Sequence, residues 1–223
     1  MDNITLIIPA KKEGESLSKV LTELQDYNVK IKIMLEPSDY ETIHSIKDFD
    51  CEIIHQTSKG YGDALILGIK NIKTEYFCIF NADGSFNPKE LPNMANLLIS
   101  KDVDLIFASR YEKNASSEDD TIVTIIGNYF FTFLGKLLFN LPITDILYTF
   151  VIGKTDKVID LNLQSKDFTF CVELPIKAHR KKLKLFSVES HERSRIAGKK
   201  KVNAIRDGFL ILKKMIYMFL KIN

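Results

Sequence analysis

The chain has 223 residues, 45% of them hydrophobic and 27% charged. That is enough to bury the core of one folded domain, and the composition excludes a disordered or collagen-like chain. The net charge of +2 conceals an asymmetry: residues 177–221 carry 14 Lys and Arg against three acids, Glu189, Glu192 and Asp207. Such a segment seeks anions, whether phosphates, an acidic membrane surface or nucleic acid. Nucleic acid is set aside because no aromatic-interleaved basic platform accompanies the charge. The start, Met1-Asp2-Asn3-Ile4, reads without a signal peptide. No stretch of about 18 residues is uninterruptedly apolar. The nearest approaches, Ile122–Leu141 and Phe209–Leu220, are broken by Gly127, Asn128, Gly135 and Lys136 and by Lys213-Lys214. Both are expected to lie against a bilayer rather than cross it. Cys51, Cys78 and Cys171 are odd in number and lack CxxC spacing, so they read as free thiols in a reducing cytoplasm.

The first half alternates strand and helix patterns, the signature of a parallel α/β sheet. Ile4–Pro9 is a short apolar run closed by proline, and Leu17, Val20, Leu21 and Leu24 then recur at helical spacing. Strands are predicted at Val29–Leu35, Cys51–Ile54, Tyr76–Phe80 and Asp104–Ser109, with helices at Tyr61–Ile69 and Pro88–Ile99. Glu112–Asp120 is polar and turn-rich and reads as a mobile loop. Beyond it the pattern predicts a long apolar helix to Leu141 and a strand near Phe150–Ile152. A helix around Phe170–Lys181, a strand at Leu185–Val188 and a terminal helix from about Asn203 complete the chain.

Several polar residues stand where strands end, which is where open α/β sheets place their ligand sites. Asn81 and Asp83 follow the apolar run Tyr76–Phe80. As i and i+2 on a strand they would point the same way and could grip one ion, although Asp83 could equally cap the turn before Gly84-Ser85. Glu13 lies between the first strand and its helix, where free backbone N–H groups can meet a nucleotide; alternatively it is simply solvated. Lys59-Gly60-Tyr61-Gly62 offers charge and close backbone approach to a diphosphate, or an ordinary turn. Arg110 could fork onto a phosphate or form a surface salt bridge.

Taken together these segments resemble glycosyltransferase family 2, of GT-A fold, and within it the dolichol-phosphate mannosyltransferase-like, polyprenyl-phosphate branch. Pro9-Ala10-Lys11-Lys12-Glu13-Gly14-Glu15 is similar to P-A-Y-N-E-x-E, and Lys59-Gly60-Tyr61-Gly62-Asp63-Ala64-Leu65 to K-G-x-G-x-A-L. Asn81-Ala82-Asp83-Gly84-Ser85-Phe86-Asn87-Pro88 matches D-A-D-x-S-x-x-P except at its first position, and Ala108-Ser109-Arg110-Tyr111 resembles G-S-R-Y. Thr144-Asp145 with Phe150 loosely resembles T-D-x-x-x-G-F, and Glu173 is similar to the acid of F-x-x-E-L. Arg195 to Lys201 resembles R-x-G-G-x-S-K, and Asn203–Gly208 the helix start that follows. The departures are Glu36-Pro37-Ser38-Asp39 for an acidic D-D-G-S turn, Lys11-Lys12 for Tyr-Asn, Asn81 for an acid and Lys200 for a serine. No arginine stands in the acidic loop 112–121. They describe an atypical member, weaker in metal affinity or altered in substrate.

The resemblance implies a single GT-A domain, a mostly parallel, Rossmann-like sheet flanked by helices, with C-terminal amphipathic helices leaning on a membrane. Residues 1–111 would bind the nucleotide sugar, and 112–223 would face acceptor and membrane. The implied activity is inverting transfer from a GDP-mannose or UDP-hexose type donor to dolichyl or undecaprenyl phosphate. Pro9, Ala10, Glu13, Glu36, Lys59, Gly60, Asn81 and Asp83 would hold the donor. Mg²⁺ or Mn²⁺ would sit on Asp83, Asn81 and Ser85. Arg110, Arg195 and Lys201 would bind the acceptor phosphate, with Asp83, Arg110, Asp145 and Glu173 catalytic. A phosphate acceptor is already anionic at neutral pH and needs no base. The alternatives are transfer to a glycan hydroxyl, with Asp145 or Glu173 as general base, or a non-catalytic nucleotide-sugar binder. The implied setting is the cytoplasmic face of a membrane, with a membrane-embedded partner subunit or a homodimer as further expectations. Lys213, Lys214 and Lys221 would touch its anionic headgroups.

Overall fold

The computed structural model describes residues 1–198, 201 and 203–221. In chain order the elements begin β1 (Ile4–Pro9), α1 (Gly14–Leu24), β2 (Lys30–Leu35), α2 (Tyr40–Ser45), β3 (Glu52–His55) and α3 (Tyr61–Lys70). Then come β4 (Tyr76–Ile79), α4 (Leu91–Ser100), β5 (Leu105–Ser109), β6 (Ser116–Ser117) and α5 (Ile122–Phe139). The chain ends with β7 (Val151–Lys154), α6 (Thr155–Ile159), α7 (Phe170–Arg180), β8 (Leu185–Glu189), β9 (His191–Glu192) and α8 (Ala204–Leu220). The predicted elements are present within a few residues of their expected ends. The short α2 and α6 and the two-residue strands β6 and β9 have too few residues to show a period, and pattern reading passes over them.

Seven strands form one sheet in the order β3-β2-β1-β4-β7-β5-β8. All neighbours run parallel except β7, which is antiparallel to both β4 and β5. The inserted β7 and the edge strand β8 come from the second half of the chain, so the two halves share one sheet. Apolar residues alternate across it: Leu6, Ile8, Cys78 and Phe80 enter one core with α1 and α4. Ile7, Phe77 and Ile79 enter the other with α3, α5, α7 and α8. Covering both faces is what a largely parallel sheet requires. Gly153 on β7 lies where an added Cβ would meet Leu105 Cδ2 at 2.2 Å, so the antiparallel strand fits only with glycine there.

The loop 112–120, expected to be mobile, is tied down. Ser116 and Ser117 pair with His191 and Glu192 as a parallel two-stranded ribbon. Ser194 N and Oγ donate to Glu118, and Arg195 Nη2 donates to Asp119 at 2.9 Å. An acidic loop and a basic loop thus clasp each other, a long-range pairing that local composition does not disclose.

On α5 the residues Asn128, Phe131, Thr132 and Gly135 are buried, at i, i+3, i+4 and i+7. The opposite face exposes Ile122, Val123, Ile126, Tyr129, Phe133 and Leu137. α5 is long and apolar enough to cross a membrane by length and composition alone. On α8, Ile211, Met215 and Met218 face inward while Ile205, Phe209, Ile216 and Leu220 are exposed.

Glu173, expected to be catalytic, has a different place. It is 1% exposed on α7 and accepts from the backbone N–H of Gln164 and Ser165 at 3.0 and 2.6 Å. Lys177 lies 2.9 Å and Lys214 of α8 3.5 Å from its other oxygen. Glu173 therefore joins α7, the preceding loop and α8, and Lys214 is turned inward rather than toward a headgroup. Burial alone would raise its pKa, but Lys177, the two N–H groups and Lys214 bring it down from 4.5 to about 2. Because the folded value lies below the unfolded one, its contribution of roughly 3 kcal/mol is complete above pH 4.5 and fades as the pH falls to about 2. Glu173→Gln should destabilise the protein by about 2–3 kcal/mol at pH 7. Urea unfolding at pH 7 and pH 3 should show the deficit shrink at the lower pH.

Candidate active site

The carboxyl ends of β1 to β5 open into one cleft of about 990 Å³. Pro9 ends β1 and Ala10 follows it, Glu36 follows β2, Asn81 and Asp83 follow β4, and Arg110 follows β5; all six line it. Glu13, Gly60, Ser85, Arg195 and Lys201 line it as well. Eleven of the expected positions, Lys59, Asp145 and Glu173 apart, reduce to a single concavity at the switch point of the sheet, here between β1 and β4. These were separate motifs in the sequence.

Three expected positions do not line the cleft. Lys59 is exposed and does not line the cleft. The glycines beside it make room for protein: added Cβ atoms at Gly60 and Gly62 would meet the carbonyls of Lys166 and Ser165, each at 2.1 Å. Glu173 lies outside the cleft in the clamp described above. Asp145 is fully buried and accepts from Arg110 Nε at 2.8 Å, Nη2 at 3.1 Å and the backbone N–H groups of Arg110 and Tyr148. With both oxygens so engaged, Asp145 orients Arg110 and cannot reach an acceptor as a base.

Arg110 is itself enclosed. Its Nη1 lies 3.3 Å from both Asp120 Oδ1 and Glu192 Oε2, so three carboxylates share one guanidinium. Burial would lower its pKa, but Asp145, Glu192 and Asp120 hold it well above the usual range. Burial pushes the Glu192 carboxyl up, against the pull of Arg110. Four of the five N–H donors are thereby used. Arg110 shapes the cleft wall, and the expected role of a phosphate ligand is left to other cations. Asp120 and Glu192 were missed in the sequence, where the first was one acid in a polar run and the second an acid among basic residues.

The Asn81–Ser85 corner is closed on itself. β4 ends at Ile79, so the rule that i and i+2 share a face no longer applies. Asn81 Nδ2 donates to Ser85 Oγ at 2.5 Å, while its Oδ1 accepts from Phe86 N at 3.3 Å. Asp83 Oδ1 accepts from Ser85 N at 3.0 Å, and its Oδ2 faces Arg195 Nη1 at 3.3 Å. A hard divalent cation takes about six oxygen ligands, and Mg²⁺ is commonly held by one or two free carboxylates together with substrate phosphates and waters. Here the amide is spent within the turn, and the single carboxylate already has a guanidinium across it. Among the described residues no group of three or more His, Cys, Asp or Glu is placed to hold a metal. The expected set Asp83, Asn81 and Ser85 does not fit the cation in this arrangement.

Glu13 pairs with Lys201 and accepts from Ser16 Oγ at 2.8 Å, and Glu36 pairs with Lys11 at 3.0 Å. Lys199 and Lys200 lie outside the described residues. The floor near α3 is aromatic: Tyr61 stacks on Phe168 at 5.0 Å and bonds Thr149 at 2.6 Å. Toward the other end Val123, Ile126, Phe130, Ile205 and Ile211 give the cleft an apolar wall between α5 and α8.

Arg110→Ala strands three buried carboxylates and should destabilise the protein by about 3–5 kcal/mol. Arg110→Lys should recover only part of this, because an ammonium cannot reproduce the planar fork on Asp145. Equilibrium denaturation of the two variants checks both.

The model of the family "Glycosyl transferase family 2" matches residues 5–161. The uncharacterized protein MJ1222 of Methanocaldococcus jannaschii is 25% identical over 195 residues, covering 84% of this chain and 80% of that one. An uncharacterized glycosyltransferase of Mycobacterium tuberculosis, Rv0539, is 22% identical over 210 residues, 94% of each chain. Among solved structures, the fold is similar to glucosyl-3-phosphoglycerate synthase of M. tuberculosis in complex with Mn²⁺, UDP and glucosyl-3-phosphoglycerate. The TM-score is 0.71 at 13% identity, covering 97% of this chain and 78% of that one. The same synthase in complex with Mg²⁺ and UDP gives 0.69, also at 13% identity. At that identity the likeness speaks for the GT-A fold, and no branch within the family is singled out. The chain belongs to glycosyltransferase family 2.

Proposed function

We propose that the protein is an inverting glycosyltransferase that moves a hexose from a nucleotide-diphosphate sugar to a polyprenyl phosphate at the cytoplasmic face of a membrane. The observation that carries this reading is the continuity of the cleft. Its polar end holds Glu13, Glu36, Asp83, Arg195 and Lys201, and its other end is the apolar wall of α5 and α8. A phosphate head joined to an isoprenoid tail has the same polarity. Ile122, Val123, Phe133, Ile205 and Phe209 continue that wall outward as exposed apolar surface, and Lys213 on α8 and Lys221 at its end are exposed as well. Such a surface suits the headgroup boundary of an anionic bilayer. The first half of the chain supplies most of the donor side, and the second supplies the acceptor side and the membrane face.

In this reading an oxygen of the acceptor phosphate attacks the sugar's anomeric carbon as the bond to the nucleoside diphosphate breaks. The bonding pair leaves with the diphosphate, which gains one negative charge, and the acceptor becomes a phosphodiester. No proton need be removed, so the reaction requires orientation and charge neutralisation rather than a base. Asp145 and Glu173, the bases named for a glycan hydroxyl, do not line the cleft, whereas a phosphate acceptor needs no base.

Full-length protein on anionic vesicles containing undecaprenyl or dolichyl phosphate should transfer label from one of a panel of GDP- and UDP-sugars to the lipid. Ile126→Asp, at an exposed position in the apolar wall, should cut that transfer by about tenfold and leave nucleotide binding unchanged. Transfer to a glycan hydroxyl with none to the lipid phosphate would overturn the reading.

A further inference from the structure

The basic loop after β9 is strapped onto the Asn81–Ser85 corner by backbone hydrogen bonds. Arg193 N donates to Ser85 O and Ile196 N to Asp83 O, both at 2.8 Å. Arg193 secures the strap from outside through Glu23, at 2.8 Å, and Phe86 O, at 2.9 Å. Gly84 has φ +83°, and a Cβ there would sit 2.4 Å from Ile196 Cδ1, so the corner is shaped to receive the strap. Arg195, between these two anchors, is thereby delivered to Asp83 and the cleft.

We propose that Arg195 takes the place of the divalent cation at the donor diphosphate, so that this protein binds and uses its nucleotide sugar without a metal. The inference rests on the transferase reading above and deepens it. Its first support is the misfit of Asp83, Asn81 and Ser85 to a cation. Replacing an acid by Asn81 removes one negative charge from the corner, and Arg195 brings one positive charge to the carboxylate that remains. The second support is donor capacity. Among the described residues, contacts with Asp119 and Asp83 use three of the five guanidinium N–H groups, leaving one on each terminal nitrogen. Two such groups suit the non-bridging oxygens of a diphosphate. The third is charge: residues 193–201 contain Arg193, Arg195, Lys199, Lys200 and Lys201 and no acid. A segment of that composition suits an anionic donor. When the sugar–diphosphate bond breaks, the charge gained by the leaving group develops beside a cation that is already held in place.

Calorimetry of GDP and UDP binding to the full-length chain, dialysed against EDTA and then supplemented with Mg²⁺ or Mn²⁺, tests this. The preferred nucleotide should bind with an affinity that changes by less than about twofold on adding metal, and Arg195→Ala should weaken it by about tenfold or more in EDTA. Arg195→Lys should bind with intermediate affinity, and thermal unfolding of both variants checks that they remain folded. The double variant Asn81→Asp/Arg195→Ala should acquire a metal requirement, binding about tenfold tighter with Mg²⁺ than without. Binding by the unaltered protein that falls tenfold on chelation and returns with metal would overturn the inference and leave the transferase reading standing. If the variants do not fold, that metal titration decides alone. Failure to bind either nucleotide with or without metal would overturn both.

Discussion

Arg110 is a buried cation shared by Asp145, Asp120 and Glu192, which come from three separate stretches of the chain. A buried charge survives only when it is paired and its donors are satisfied. The three carboxylates in turn tolerate burial only because Arg110 is there. Tyr111 extends the cluster: its hydroxyl donates to Asp120 at 2.7 Å and accepts from Asn128 of α5 at the same distance. The end of β5, the acidic loop, the β6–β9 ribbon and the apolar helix α5 are thus held in one arrangement. The cleft wall depends on that arrangement.

The charge asymmetry of the chain finds its explanation in the same region. The basic C-terminal segment invites a search for an external anion, yet much of it meets internal ones. Arg193 lies on Glu23, Arg195 on Asp83 and Asp119, Lys201 on Glu13, and Lys214 on Glu173. The pairs of Arg193, Arg195 and Lys201 close a strap over the Asn81–Ser85 corner and hold Arg195 beside Asp83, while Lys214 serves the clamp outside the cleft. The cost of ordering Arg195 there is met on folding. On the other side of the cleft α5 and α8 leave a broad apolar face uncovered, which a soluble monomer rarely keeps without a use for it.

Much of the fold was legible residue by residue. Ile4–Pro9 was read to its exact ends because a proline closes a short apolar run. The helix after Thr121 was visible from the apolar run beyond an acidic loop. The positions of Glu13, Glu36, Asp83 and Arg110 were legible because each follows a strand, and strand ends converge in a sheet of this kind. Asp120 and Glu192 were not, because nothing within ten residues of either marks it as a partner of Arg110. Asp145 and Glu173 were named for the right neighbourhoods and the wrong work: a motif marks a position, while burial decides what the side chain can touch.

The sequence by itself determined the order of elements, the mixed α/β class and the family, since strand period, helix period and strand-end residues are local properties of the chain. Tertiary structure alone decided which charges meet. It turned Arg110 from a ligand into a strut, made a mobile-looking loop into half of a clasp, and set Arg195 against Asp83. Ion pairing acts over a few ångströms of space and is indifferent to separation along the chain. Arg195 and Asp83 stand more than one hundred residues apart in sequence and 3.3 Å apart in the fold.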